Sequence, residues 1–143
     1  MHQPIRTGKE MGQLGIPKDV FNDHLTYIRT VRAGVSGASL KKIIQRFGHR
    51  EAFIDALGTT SSNFSRLYAR KSLEKNQSES ILEFVRIFNK AEEVFGDQEH
   101  AELWLGSNIT ALGGETPMAL FDTFEGRKLV MDALQKVAFG EFS

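Results

Sequence analysis

The stretch ALGGETPMALFDTFEGRK, residues 111–128, decides between two classes of fold. A phosphate-binding loop places its glycines directly after a buried β-strand, where backbone N–H groups converge on an anion at a helix start. No strand-like run of adequate length precedes Gly113 and Gly114, and no Gly-Lys-Ser/Thr follows them. Thr116 and Pro117 suit an N-cap and a first helical position, because Thr caps and proline has no N–H to leave unbonded. We therefore predict that these glycines separate helices.

Composition excludes several classes of protein. Of the 143 residues 41% are hydrophobic, including 11 Phe, so we expect a real core in one domain or two small ones. The absence of Cys excludes disulfides and thiolate metal sites. The four histidines lack metal-ligand spacing; they are His2, His24, His49 and His100. No apolar stretch approaches the ~20 residues of a membrane span, and no signal peptide is visible. We expect a soluble, cytoplasmic protein with no cofactor, no metal and no membrane contact.

Hydrophobic periodicity predicts an all-α protein. Apolar residues recur at three- and four-residue steps from Pro17 onward, and no segment shows a sustained two-residue alternation. Residues 1–16 are polar and dotted with glycines, so we expect a flexible N-terminal arm. Residues 17–96 are expected to form a helical domain, and residues 97–143 a small helical C-terminal domain.

Capping residues and glycines predict where single helices begin and end. Helices are expected at residues 17–33, from about 39 to 47, at 50–57 and at 61–69. Asn76 is expected to cap a long helix, with Glu79 completing a capping box and Gly96 ending the helix. Asp97 suits the cap of the next helix, and Gly126 lies near the start of the last one.

Residues 50–69, REAFIDALGTTSSNFSRLYA, fit a helix-turn-helix. Gly58 stands where a left-handed backbone lets the chain turn, and residues at the helix contact are apolar, namely Leu57, Phe64 and Leu67. The second helix would offer hydroxyl, amide and cationic groups to phosphates and base edges. The candidate DNA-binding residues are Ser61, Ser62, Asn63, Ser65, Arg66, Arg70 and Lys71. Ile54 departs from the pattern, which usually has a small residue there, and a helical hairpin with polar caps is the alternative.

The zero net charge hides an asymmetry along the chain. Residues 39–75 carry eight Lys/Arg against three Asp/Glu, whereas residues 79–143 carry five against twelve. Two solvated surfaces that happen to differ would account for this. A basic nucleic-acid-binding module joined to an acidic protein-binding module would account for it equally well.

Residues 101–140 resemble the C-terminal domain of the Xre/MbcA/ParS-type antitoxins. The matching positions run in the family's order: Trp104-Leu105, Leu112-Gly113-Gly114, Thr116-Pro117, Gly126 and Val130. The upstream half also resembles the family's helix-turn-helix domain, so the resemblance covers about residues 34–143. One departure is that residues 61–68 are less basic than the recognition helix of many relatives.

The resemblance implies an antitoxin of a type II toxin–antitoxin system. Its partner would be a RES-domain toxin that consumes NAD, and its C-terminal region would block the toxin's active-site entrance. It is also expected to bind its own operator DNA as a homo-oligomer, at least a dimer, with residues 17–33 as a candidate contact. The candidate toxin-binding residues are Trp104, Arg127, Phe139, Glu141, Phe142 and Ser143.

The chemistry of the C-terminal residues agrees with such a role. Glu141 and a terminal carboxylate stand beside Phe139 and Phe142, and anions flanked by aromatic rings suit a pocket built for a dinucleotide. A frayed terminus is the alternative. Trp104 equally suits a place in the core.

Two other functions are weighed against the antitoxin. The first is a transcription regulator without a toxin partner, in which the C-terminal half serves only dimerisation. The second is a small enzyme using His100, Asp122 and Glu125 for acid–base chemistry. These three residues show no catalytic spacing and no nucleophile accompanies them, so we expect no catalytic residues and no enzyme.

Overall fold

A computed structural model describes residues 4–140 of the chain, with side chains from Gly8 onward. The α-helices in chain order are α1 (Pro4–Gln13), α2 (His24–Ala33), α3 (Gly37–Phe47), α4 (Arg50–Ala56), α5 (Ser61–Leu67), α6 (Lys75–Phe95), α7 (Gln98–Leu105) and α8 (Phe124–Ala138). Two 3-10 helices, Thr110–Leu112 and Pro117–Leu120, connect α7 to α8. The described part contains no β-strand, which confirms the all-α class. No helix in that part has both the length and the apolar character needed to span a membrane.

The chain divides into two compact units. The first unit extends to Leu82 and the second begins at Glu83, so the division falls inside α6. The sequence predicts the boundary between the two domains at residues 96 and 97, just after the end of α6. Apolar residues of α6 are buried on both sides of this division, at Ile81 and at Phe84.

The N-terminal segment differs from the expected flexible arm. From Pro4 to Gln13 it is helical, and the side chains of Met11, Leu14 and Ile16 are at most 5% exposed. An ion pair of 2.7 Å between Glu10 and Arg46 of α3 fastens α1 to the first unit. The glycines in this segment lower its intrinsic helix propensity, but burial of its apolar side chains overrides that preference.

The helix expected at residues 17–33 begins later than predicted. The carboxylate of Asp23 accepts a hydrogen bond of 3.1 Å from the N–H of Thr26, so α2 starts at His24. Residues 17–22 form turns instead, in which Val20 is fully buried. Asp23 determines the start of α2 because its carboxylate caps the first turn. Pro17 has only a fixed φ and offers no such cap.

The start of α6 is a second correction. The helix begins at Lys75, so Asn76 lies inside it rather than capping it. The side chain of Gln77, not Glu79, reaches back and accepts a hydrogen bond of 3.2 Å from the N–H of Glu74. Ser78 is fully buried in the first turn, where its hydroxyl accepts a hydrogen bond of 2.8 Å from the N–H of Val35. A buried bond across the unit therefore sets the register of this helix start.

The second unit is built around three phenylalanines. The rings of Phe84 and Phe121 meet edge to face with centroids 4.8 Å apart, and Phe88 lies 5.6 Å from Phe121. Val130 and Leu134 bring α8 into the same buried core. Aromatic pairs of this geometry add about 0.5–1.5 kcal/mol to the burial of their surfaces.

The glycines of residues 111–128 act as predicted. Gly113 and Gly114 adopt φ of 69° and 82°, values that L side chains rarely reach, and they end the first 3-10 helix. Thr116 caps the second by accepting a hydrogen bond of 3.2 Å from the N–H of Ala119, with Pro117 in the first position. This short helix is 3-10 rather than α.

Gly126 allows two backbone segments of the second unit to approach closely, and it is buried in the first turn of α8. A Cβ at this position would collide with the carbonyl oxygen of Leu120. We therefore expect Gly126→Ala to lower the free energy of unfolding by about 1–3 kcal/mol, measured by urea denaturation. Gly12→Ala in α1 is the control, because no atom lies within 4 Å of its added Cβ. Helix propensity predicts that the control stabilises by about 0.5–1 kcal/mol, and equal effects of the two changes would contradict the steric explanation.

Candidate functional site

Helices α4 and α5 pack together as the predicted helical pair of the first unit. The turn between them contains Gly58 with φ 65°, and Thr60 caps α5 by accepting a hydrogen bond from the N–H of Asn63. Leu57, Phe64 and Leu67 are buried, as their positions in the motif predict. Ile54, the departure from the pattern, is also buried. The local geometry therefore suits a helix-turn-helix, while its use on DNA stays a prediction.

Arg50 joins the two helices and was not singled out by sequence reasoning. Its guanidinium donates hydrogen bonds of 3.1 Å to the hydroxyl and to the carbonyl of Ser61, and lies 5.1 Å from the ring centre of Phe64. These contacts hold the first turn of α5 against the first turn of α4. No local pattern reveals them, because the partners are eleven residues apart along the chain.

The predicted DNA-binding side chains lie on the outside of the first unit. All seven are exposed, and they are Ser61, Ser62, Asn63, Ser65, Arg66, Arg70 and Lys71. The first five stand on α5, and the last two follow it after Tyr68 and Ala69. A row of hydroxyl, amide and cationic groups on one short helix is able to contact phosphates and base edges. Contact with DNA stays a prediction for each of them.

Trp104 is half-buried near the end of α7. Its ring packs 5.6 Å from the ring of Phe95, with an angle of 34° between the two planes. Its neighbour in the sequence, Leu103, is 64% exposed, so α7 also carries an apolar side chain on its outer surface. Trp104 thus has contacts inside the second unit, and its part in toxin binding stays a prediction.

Arg127 is engaged inside the second unit. Its Nε donates to the carboxylate of Glu83, and one Nη donates to the carbonyl of Phe121 at 2.7 Å. The guanidinium also lies 5.9 Å from the ring centre of Phe84, and the side chain is only 12% exposed. These contacts assign Arg127 a packing role, so a toxin contact through the same side chain stays a prediction without a geometric basis.

The C-terminal candidates divide between described and undescribed residues. Phe139 follows α8 and is 76% exposed, the most exposed of the large apolar side chains in the described part. Glu141, Phe142 and Ser143 lie outside the described residues. Phe124 and Leu129 of α8 are also exposed, at 64% and 44%, and sequence reasoning did not select them. Helical spacing identifies them only once the buried face of α8 is known.

The acid–base residues considered for an enzyme are His100, Asp122 and Glu125, and all are exposed. His100 is paired with the cap of its own helix. One carboxylate oxygen of Asp97 lies 2.8 Å from the N–H of His100 and 2.8 Å from its Nδ1. The bonds from His100 lower the pKa of Asp97, and the side-chain bond and the charge of Asp97 raise the pKa of His100. The pair thus caps α7.

Comparison with known proteins identifies the second unit. Residues 90–140 match the family model described as the antitoxin Xre/MbcA/ParS C-terminal toxin-binding domain. The matched stretch runs from the end of α6 to the residue after Phe139, and therefore includes α7, both 3-10 helices and α8.

Three curated relatives are antitoxins. The chain is 27% identical over 127 residues to a Prs ADP-ribosylating antitoxin of Sphingobium sp. (strain YBL2), covering 81% of this chain and 80% of that protein. It is 35% identical over 68 residues to an antitoxin Xre of Yersinia enterocolitica, covering 47% of this chain and 46% of that protein. It is 32% identical over 81 residues to an antitoxin Xre of Photorhabdus laumondii, covering 52% of this chain and 55% of that protein. The chain thus spans about half the length of the two Xre proteins.

The Asp97–His100 pair predicts a pH-dependent cap on α7. The raised pKa of His100 gives a contribution to folding stability that is full below about pH 6.5. This contribution is lost as the pH rises through the pKa of His100 in the folded protein. The lowered pKa of Asp97 gives a contribution to stability that is present above about pH 4 and is lost on acidification. The cap is therefore strongest between these limits.

An NMR titration of the His100 ring tests this pair. We expect a pKa above the usual value for histidine, which Asp97→Asn lowers. Glu99→Gln removes the same charge but no hydrogen bond, so it should lower the pKa by less. Equal shifts in the two variants would mean that charge alone, and not the hydrogen bond, holds the proton.

Proposed function

Because the chain belongs to the Xre/MbcA/ParS-type antitoxins, we propose that it neutralises the toxin of a type II toxin–antitoxin system through its second unit. The observation that carries the proposal is the match of residues 90–140 to a toxin-binding domain. Four large apolar side chains in the described part of that unit are exposed, which is surface that a protein partner is able to cover. These are Leu103, Phe124, Leu129 and Phe139.

The proposed toxin is a RES-domain protein that consumes NAD. The resemblance in sequence supports this partner, and one relative is named for ADP-ribosylation, a reaction in which NAD supplies the ADP-ribosyl group. Blocking of the toxin's active-site entrance by the residues after α8 is the proposed mode of action. Phe139 is exposed and followed closely by Glu141 and Phe142, which offer an anion and a ring to a dinucleotide pocket. The cytoplasm, which contains NAD and operator DNA, is the proposed location.

Autoregulation by DNA binding is the second part of the proposal. The exposed polar and cationic side chains of α5 and the residues after it support operator contact. Operators are commonly read by dimers, whose two-fold symmetry matches that of the site. Leu25 and Ile28 of α2 are 55% and 39% exposed, which supports α2 as the contact between copies in a dimer.

A transcription regulator without a toxin partner is the alternative function. The geometry of α4 and α5 favours it as much as it favours the antitoxin, because both proteins bind DNA. The two functions differ in the second unit, which in the regulator would serve only dimerisation. Neutralisation of a toxin therefore distinguishes them.

Glu141 tests neutralisation. Cells that express the RES-domain product of the adjacent gene should lose NAD, and co-expression of this chain should restore it. Glu141→Lys should impair protection more than Glu141→Ala, because it places a cation among the cations that bind the phosphates of NAD. Glu115→Lys, an exposed change of the same charge elsewhere in the second unit, is the control. If the wild-type chain does not restore NAD, the antitoxin proposal is wrong; if Glu141→Lys protects fully, only the blocking mode is wrong.

Arg66 tests the DNA proposal. Arg66→Ala should weaken binding to the promoter region by about 1–3 kcal/mol in a gel-retardation titration, because the exposed guanidinium would lose a base contact. Lys9→Ala in α1 removes an exposed cation outside both α5 and the proposed dimer contact, and should leave binding nearly unchanged. Equal losses in the two variants would show that only net charge attracts DNA, and no loss in Arg66→Ala would contradict the assignment of α5.

A further inference from the structure

A groove between α6 and α8 lies wholly within the second unit. Its cavity volume is about 340 Å³, enough for a few side chains. One wall is a stripe of α6, formed by Glu83, Arg86 and Ile87. The other is a stripe of α8 with the same three- and four-residue spacing, formed by Phe124, Arg127, Lys128 and Met131. We call this the α6–α8 groove.

Apolar side chains line much of the groove. Ile87 is buried and Met131 is half-buried, whereas Phe124 stands at one end with 64% of its surface exposed. An exposed aromatic beside an apolar groove is the arrangement found where a partner inserts apolar side chains.

The charge of the groove is opposite to that of the rest of the unit. Residues 83–143 carry five Lys/Arg and eleven Asp/Glu, and three of the five cations line the groove with one acid. With three cations and one acid, the lining residues carry a net formal charge of +2, and Lys128 is exposed on the α8 wall. An occupant that complements the groove therefore has an apolar face flanked by carboxylates.

We propose that the α6–α8 groove binds an acidic amphipathic segment of the toxin. Two facing stripes at helical spacing suit a helix whose apolar residues enter the groove and whose acids meet the positive charge of its lining, including Lys128. The inference rests on the proposed function, since it names the surface by which the neutralised toxin is held. Phe139, which follows α8, does not line the groove, so the chain would hold its partner at two places. Two linked contacts on one partner bind more tightly than either contact alone.

The groove is tested by two variants with matched controls. Lys128→Glu reverses a groove charge, and Phe124→Ser removes the exposed ring. The controls are Lys136→Glu, which reverses an exposed charge on α8 outside the groove, and Phe124→Tyr, which keeps the exposed ring. Each tagged full-length variant is titrated against the purified product of the adjacent gene, and circular dichroism verifies that it is folded.

We expect each groove variant to weaken the complex at least about tenfold and each control to change it less than about threefold. Added salt should weaken the wild-type complex more than the Lys128→Glu complex. No binding by the wild-type chain would overturn the proposed function itself. Wild-type binding with unchanged groove variants would overturn only the groove. A groove variant that changes the oligomeric state in sedimentation, and not the affinity for the toxin, would show that a second copy of the chain occupies the groove and would also overturn the proposal.

Discussion

The contact between α8 and the 3-10 helix before it is the constraint on which the second unit depends. Gly126 brings the first turn of α8 against the carbonyl of Leu120, and the next residue, Arg127, donates to the carbonyl of Phe121 and to Glu83 of α6. A side chain at Gly126 would force the two elements apart and break these bonds. Because α8 is held there, Phe124 and Lys128 face α6 across a groove, and Phe139 follows at the far end of the helix.

Arg127 illustrates how an internal contact changes the expected role of a charged residue. A lone arginine in a toxin-binding domain is a reasonable candidate for the interface. Its guanidinium is mostly buried, however, and it uses donors on two sides for Glu83 and Phe121. Removing one partner of such a pair leaves a charge without its counter-ion. We therefore assign the pair to the stability of the unit and not to a complex. Lys128, which lines the same groove and is exposed, is the better candidate for an interface.

The basic and acidic parts of the sequence fall mostly in different structural units. The basic part of the sequence contains α5 and the exposed Arg66, Arg70 and Lys71, which suits attraction to DNA. The acidic part contains the second unit, where a small cationic groove stands out against its surroundings. Opposite local charges favour different partners on the two units, which agrees with the proposed toxin and operator contacts.

The sequence by itself determined the features that act over three or four residues. Thr116 with Pro117, Asp97 and the glycines after helices set local backbone geometry, and the all-α class and the resemblance to antitoxins follow from such signals. Tertiary structure decided the rest. The glycine-dotted α1 is helical because it buries Met11, and the start of α6 is set by a buried bond from Val35 to Ser78. Glu83 and Arg127 are 44 residues apart, and no local pattern encodes such a pair, because only folding brings its members within hydrogen-bonding distance.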